Sequence, residues 1–148
     1  MKQLETILGM WSKDCIIDDM KLDDVSRHTP MLHAKYLQLH SQAKMELQKA
    51  EFKQKILLKD KWLYYNGKMS QDQIEEKGWD FDPFDGLKVL KGEMDHYYNS
   101  DIDIQKSEQL VEYWKNIIST LSEIIEQLKW RHQTIKNIIE WKRFQSGN

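Results

Sequence analysis

The chain has 148 residues, of which 40% are hydrophobic and 31% charged, and its formal net charge at pH 7 is -2. The length suits one domain, but a mean hydropathy of -0.75 is low for a compact monomer and favours helices that share a core with partners. Cys15 is the only cysteine, which excludes an intrachain disulfide and indicates a reducing compartment. No stretch approaches the roughly 20 apolar residues of a membrane span, so no membrane association is expected.

The N-terminal segment from Gln3 to Asp14 has the spacing of one short amphipathic helix. Its apolar residues recur at i, i+3, i+4 and i+7, namely at Leu4, Ile7, Leu8 and Trp11. The apolar pattern is lost from Cys15 to His28, where four aspartates occur. This second stretch is expected to be a connector with a short strand at Ile16 and Ile17.

A long helix is predicted to follow, from Pro30 to about Asn66. Thr29 offers a side-chain cap, and a proline at the first helical position loses a donor that would have no partner. Asn66 and Gly67 form the expected left-handed terminator. Five residues on this helix recur every seven positions, which implies a partner helix along much of its length. They are Tyr36, Ala43, Ala50, Leu57 and Tyr64.

The end of this helix combines lysines with large aromatic side chains. Between Lys44 and Lys68, seven lysines face three acids. Ammonium groups pair with phosphates, and exposed rings stack on unpaired bases, so the composition suits a single-stranded nucleic acid. Lysines also complement a helix C-terminus, however, and aromatics at helical spacing commonly pack in a core. The candidate DNA-binding residues are Lys55, Lys59, Lys61, Trp62, Tyr64, Tyr65 and Lys68.

Residues 67–103 differ in composition from the rest of the chain. From Met69 to Asp103 there are ten acids and three lysines, so this segment is predicted to be a mobile, partly irregular acidic excursion with a short helix from Gln71 to Lys77. Its aspartates suggest a calcium loop, but the third acid and the glycine fall one position late, and position twelve is Lys91. No metal site is therefore predicted.

The segment from Ile104 to about Gln145 contains neither glycine nor proline, so a single helix of about 60 Å is predicted. A second apolar stripe beside its main seam implies more than one neighbouring helix, one of them from another subunit. The predicted oligomer interface consists of Val111, Trp114, Ile118, Leu121, Ile125, Leu128, Ile135 and Ile139. The expected fold is mostly α, with two long helices and a short N-terminal one. It forms one domain (1–66, 67–103 and 104–148), with the C-terminal helix in an oligomeric helical bundle or barrel.

The glycine-rich motifs that bind nucleotide phosphates are missing. Neither Gly-x-x-x-x-Gly-Lys-Ser/Thr nor Gly-x-Gly-x-x-Gly occurs in the sequence. His33 and His40 lie two helical turns, or about 10 Å, apart, which is too far for one metal ion. The sequence therefore predicts a protein that is not an enzyme and has no cofactor.

Several segments resemble the UvsY recombination mediators of tailed phages. The family's basic-aromatic motif has a lysine, a second basic residue two positions on, and then Tyr-Tyr-x-Gly, which matches Lys59, Lys61, Tyr64, Tyr65 and Gly67. Further matches occur in the same order through most of the chain. They are Leu4-Glu5, Ile17-Asp18, Val111, Tyr113-Trp114, Ile135-Lys136, Phe144 and Gly147.

The resemblance implies a ring-like homo-oligomer, a hexamer or heptamer, that binds single-stranded DNA. Its further partners would be the phage recombinase and the single-strand-binding protein, and it would help to load the first in place of the second. It implies a non-virion protein in the host cytoplasm. Lys59 and Lys61 match the family's DNA-contacting basic pair, and Tyr64 and Tyr65 match its aromatic positions.

Two features depart from the family pattern. Asp60 places an anion between the two lysines, which would weaken DNA binding or hold a lysine in an ion pair. The acidic stretch is longer than expected and would mimic DNA, repel it or engage the recombinase. The alternative hypothesis is a structural or adaptor helical oligomer that binds another protein and has no nucleic-acid role.

Overall fold

The computed structural model describes residues 2–147, which contain six α-helices and no β-strand. The helices are α1 (Lys2–Asp14), α2 (Leu22–Tyr65), α3 (Gln71–Lys77), α4 (Met94–Ser100), α5 (Ile102–Lys129) and α6 (Arg131–Gln145), with a 3₁₀ turn at Lys91–Glu93. The predicted mostly α class is confirmed, but the strand expected at Ile16 and Ile17 is wrong, since both residues lie in an irregular connector. Across residues 2–147, every helix is either too short or too polar to span a bilayer.

The long helix α2 begins at Leu22, eight residues before the predicted start at Pro30. Asp23 and Asp24 lie in its first turn, where carboxylates interact favourably with the positive end of the helix dipole. Thr29 does not cap the helix, because its hydroxyl donates to the carbonyl of Val25 within the helix at 3.1 Å. Pro30 is exposed inside the helix, where its missing N–H costs one backbone hydrogen bond.

The first compact unit takes the chain up to Glu46 and from Tyr113 onward. Tyr36 is fully buried at its centre and packs against Trp11 in a T-shaped arrangement, with ring centroids 5.5 Å apart. The Tyr36 hydroxyl donates to the Asp14 carboxylate at 2.8 Å, so the end of α1 is fixed to α2. The buried core of this unit comprises Ile7, Tyr36, Ala43, Ile117, Leu121, Ile124, Ile125 and Leu128.

The second compact unit is Leu47–Glu112. Its buried core consists of Tyr64, Tyr65 and Ile74, with Trp79, Phe84, Tyr97 and Tyr98 among the half-buried rings around it. The acidic segment after Gly67 therefore contributes helices and aromatic side chains to a packed cluster. The predicted helix from Gln71 to Lys77 is confirmed with the same bounds. The predicted single domain, with segment boundaries at residues 66 and 103, stays a prediction.

The single C-terminal helix predicted from Ile104 to Gln145 is wrong, because Trp130 separates α5 from α6. Trp130 has φ −90° and ψ 0°. The His132 ring hydrogen-bonds the Lys129 carbonyl at 2.8 Å, while the Gln133 and Thr134 amides both donate to the Trp130 carbonyl. A side chain that takes a helix carbonyl competes with the backbone ladder, which accounts for the interruption.

Candidate nucleic-acid interface

The C-terminal end of α2 is closed by a paired hydrogen-bond motif around Gly67. The Lys68 amide donates to the Leu63 carbonyl at 2.8 Å, and the Gly67 amide donates to the Tyr64 carbonyl at 3.2 Å. This is a Schellman motif, and Gly67 adopts the left-handed conformation it requires, with φ +68°. The terminator predicted at Asn66 and Gly67 is confirmed, and the motif fixes where Lys68 leaves the helix.

Four of the seven candidate DNA-binding side chains are exposed. Lys55, Lys59 and Lys68 lie on the surface, and Trp62 is 46% exposed. The Lys68 ammonium lies 4.6 Å from the centroid of the Trp62 ring, within the range of a cation–π contact. These four residues, here called the basic-aromatic face, combine phosphate-binding and base-stacking groups at one helix end.

Lys61 lies apart from this face, since only 3% of the residue is exposed. Its ammonium group is 2.9 Å from the Asp101 carboxylate, 3.0 Å from that of Asp103, and 3.8 Å from the centroid of the Trp79 ring. Residues two apart on a helix point about 200° apart, so Lys61 faces inward where Lys59 faces solvent. The charge of Lys61 is already neutralised within the chain.

Asp101 joins this ion pair to the start of α5. It accepts from the Tyr65 hydroxyl at 2.6 Å and from the Ile104 amide at 3.0 Å, so it caps the helix. Burial alone would raise the pKa of Asp101, but the hydrogen bonds from Tyr65, Lys61 and Ile104 and the charge of Lys61 outweigh it, and the pKa is lowered. Burial together with the bond to Asp101 raises the pKa of Tyr65. The carboxylate is thus held ionised and the phenol neutral.

Tyr64 and Tyr65 are also buried, at 6% and 8% exposure. The Tyr64 hydroxyl donates to the Asp80 carbonyl at 2.6 Å, and its ring lies 5.0 Å from that of Trp79. Tyr65 contacts Tyr98 edge-on at 5.2 Å. Both tyrosines are therefore committed to the packing of the second unit, and neither presents a free ring face to solvent.

The anion at Asp60 does not bind either neighbouring lysine of the motif. Its carboxylate lies 3.1 Å from the Lys77 ammonium at the end of α3. Asp60 therefore links α2 to the acidic segment and leaves Lys59 exposed.

The residues of the predicted oligomer interface differ in exposure. Five are buried within this one chain, namely Val111, Leu121, Ile125, Leu128 and Ile135. The other three keep accessible area, namely Trp114 and Ile118, which are half-buried, and Ile139, which is 37% exposed. Their role in assembly stays a prediction.

Of the aspartates that suggested a calcium loop, Asp82 has a role within its own turn. Asp82 accepts hydrogen bonds from the Phe84 amide at 3.0 Å and the Gly86 amide at 2.6 Å, which stabilises the turn. Within the part of the chain that the structure describes, no three histidine, cysteine or carboxylate side chains are grouped so that they could hold a metal ion.

Sequence reasoning missed Trp79, Asp101 and Asp103 as partners of Lys61. The sequence does not show which residues contact Lys61 across the fold, but it does show which side of the helix Lys61 occupies. The buried heptad positions Ala50 and Tyr64 lie on the inward face, and Lys61 falls within about 60° of Tyr64.

The basic-aromatic face has the two kinds of group that single-stranded nucleic-acid-binding proteins use, ammonium groups for phosphates and an exposed ring for bases. A family model described as the recombination, repair and ssDNA binding protein UvsY matches residues 10–148, so the chain belongs to the UvsY family. The recombination protein uvsY of Enterobacteria phage T4 is 29% identical over 145 residues, which cover 98% of each chain. The family resemblance found in the sequence is confirmed.

Solved structures of the phage T4 recombination mediator protein UvsY share the fold. The crystal form called lattice type II matches with a TM-score of 0.78 at 28% identity and covers 97% of both chains. Lattice type I matches with a TM-score of 0.77 at 27% identity, covering 95% of this chain and 98% of the other. The likeness extends over nearly the whole chain.

Proposed function

We propose that this protein is a non-catalytic recombination mediator that binds single-stranded DNA through its basic-aromatic face. The observation that carries the proposal is the grouping of Lys55, Lys59 and Lys68 with an exposed Trp62 at the end of α2. Within residues 2–147, Lys55 and Lys59 have no carboxylate within salt-bridge distance, so their charges are available to phosphates.

Single-stranded DNA fits this face better than a duplex does. An indole that is 46% exposed offers a stacking surface, and only unpaired bases can lie flat against it. The ammonium of Lys68 lies over the same ring, 4.6 Å from its centroid, so a cation is close to the phosphates of any nucleotide whose base contacts Trp62. Lys55 and Lys59 then bind phosphates further along the strand.

In this proposal the remaining three candidate residues support the site without touching DNA. Lys61, Tyr64 and Tyr65 are buried, and their contacts with Asp101 and Trp79 hold the aromatic cluster against the end of α2. They position Trp62, which follows Lys61 directly, and Lys68, which lies three residues after Tyr65.

The mediator role requires several weak DNA sites that act together. We propose a ring-like homo-oligomer, a hexamer or heptamer, in which accessible parts of Trp114, Ile118 and Ile139 contact a neighbouring subunit. Linked sites on one flexible strand multiply affinity without any new contact and bend the strand for a second protein. The proposed partners are the phage recombinase, which is loaded, and the single-strand-binding protein, which is displaced, in the host cytoplasm.

The test is fluorescence anisotropy of a labelled single-stranded oligonucleotide and an equal-length duplex over a series of salt concentrations. Each lost phosphate contact lowers the salt slope by about 0.7 for a single strand, so Lys55→Ala with Lys59→Ala should lower it by about 1.4 per bound subunit. Lys88→Ala, in the acidic segment, is the matched control and should leave the slope unchanged. If the double variant bound DNA with unchanged affinity, the basic-aromatic face would not be the DNA-binding site, and the adaptor hypothesis would be favoured.

A further inference from the structure

The helix α2 carries a second exposed aromatic ring ten residues before Trp62. Phe52 is 55% exposed, and Ile56 one turn later is 61% exposed. Both lie in the second compact unit, on the same helix as the basic-aromatic face. Large apolar side chains grouped on a surface commonly mark a binding site, and the core of this chain makes no use of these two.

The surroundings of Phe52 are cationic. At about 100° per residue, Phe52, Lys55 and Lys59 fall within an arc of about 60°. The nearest acid on each side in sequence, Glu51 before Phe52 and Asp60 after it, points about 80–100° away from Phe52 by the same count, and the Asp60 carboxylate is already paired with Lys77. A strand along this surface would therefore meet ammonium groups and an exposed ring, with the carboxylates to the side.

The arrangement at Phe52 repeats the one at Trp62. The Lys55 ammonium lies 5.8 Å from the centroid of the Phe52 ring, as that of Lys68 lies 4.6 Å from Trp62. At 5.8 Å the ammonium is at the outer limit of a cation–π contact and leaves the ring accessible. The two rings are separated by ten residues, or about 15 Å along the helix axis.

We propose that Phe52 is a second base-stacking residue for single-stranded DNA, so that the strand runs along α2 from Trp62 to Phe52. The inference rests on the proposed function and extends its site. A second copy of the chain that packs through the same surface is a poorer occupant, because two cationic surfaces with Lys55 and Lys59 on each would then face each other. Phosphates, in contrast, complement both lysines.

The experiment compares Phe52→Ala with the unmodified protein on two labelled single strands of equal length, an oligothymidine and its abasic counterpart. Both strands carry the same phosphates, but only one has bases to stack. Losing one stacked base should weaken oligothymidine binding by about 5-fold or more and leave abasic binding unchanged. Phe52→Trp should restore the affinity, and Phe81→Ala, which removes a ring that is 62% exposed in the acidic segment, should change neither.

The outcomes separate this inference from the proposed function. If the unmodified protein binds DNA with the expected salt dependence but Phe52→Ala binds both strands normally, only the stacking role is refuted. An equal loss on both strands also refutes it, since stacking cannot act on abasic DNA. A lower assembly mass for Phe52→Ala would identify Phe52 as a subunit contact and overturn the proposal. If the unmodified protein does not bind DNA at all, the proposed function itself fails.

Discussion

Replacing Lys61 with methionine separates a structural lysine from a DNA-binding one. Lys61 and Asp101 side chains are 4% and 6% exposed, and their charged atoms lie 2.9 Å apart. Removing one partner of a buried ion pair leaves the other charge uncompensated, which typically costs about 3–5 kcal/mol. Asp101 would retain the Tyr65 hydroxyl and the Ile104 amide, so the lower end of that range, about 3 kcal/mol, is expected for Lys61→Met.

The measurement is urea unfolding followed by circular dichroism at one fixed protein concentration, because assembly makes stability concentration-dependent. A loss of about 3 kcal/mol corresponds to a decrease in melting temperature of roughly 6–12 °C for a chain of this length. The double variant Lys61→Met with Asp101→Asn should be less destabilised than Lys61→Met alone, since no buried charge is left unpaired. Asparagine also preserves the helix cap.

The pH dependence of the unfolding free energy tests the same prediction. The pKa of Asp101 is lowered in the folded protein, so its stabilisation is complete above the unfolded value of about 3.9 and is lost as the pH falls through the folded value. The difference in unfolding free energy between the unmodified protein and Asp101→Asn should therefore shrink in acid. A constant difference from neutral pH into acid would contradict the assignment.

Lys59→Met is the matched control, two residues away on the exposed side of the same helix. It should leave stability within about 0.5 kcal/mol and lower DNA affinity. The reasoning is refuted if Lys61→Met is as stable as Lys59→Met and lowers the salt slope of DNA binding by the same amount. Lys61 would then be a phosphate contact, as the family motif implies.

Two further predictions concern the end of α2 and the assembly. Gly67→Ala should lower the unfolding free energy by about 1 kcal/mol in urea titration, because alanine is strained at φ +68° although no atom lies within 4 Å of the added methyl group. Gly92→Ala, at a glycine with no such φ, is its control. Ile139→Asp should dissociate the oligomer in light scattering while helicity persists. The Ile139 side chain is 37% exposed in the single chain, so its replacement is tolerated there, but in the proposed interface the aspartate would be an unpaired buried charge. If Ile139→Asp kept the native assembly mass, α6 would not be part of the interface.

The parts of the fold that follow from helical periodicity were predictable. The heptad positions Tyr36, Ala43, Ala50 and Tyr64 are all buried, and Gly67 ends α2 as its backbone preference requires. The start of α2 was not predictable from Pro30, since proline in a first turn and proline within a long helix have the same local sequence. The break at Trp130 depends on the ring of His132 reaching a carbonyl, which composition does not reveal.

The two basic residues of the family motif have different environments in this chain, so a role assigned to the motif does not apply equally to both. In this chain Lys59 and Lys61 lie two positions apart on α2, so their side chains point to nearly opposite sides of the helix. Here the second lysine is neutralised by Asp101 and Asp103, and Asp60 is bound to Lys77. The acidic segment that follows the motif thus supplies counterions for the inward lysine.

This arrangement of charges favours binding of single-stranded DNA at the outward-facing lysines. The acidic segment is expected to repel DNA little. Three of the acids nearest the motif are held in ion pairs, so their negative charge is compensated locally and contributes little beyond a few ångströms. Lys55 and Lys59 have no such counterion among the described residues. A chain with net charge -2 therefore presents a cationic surface at one end of α2, and its overall charge does not predict its partner.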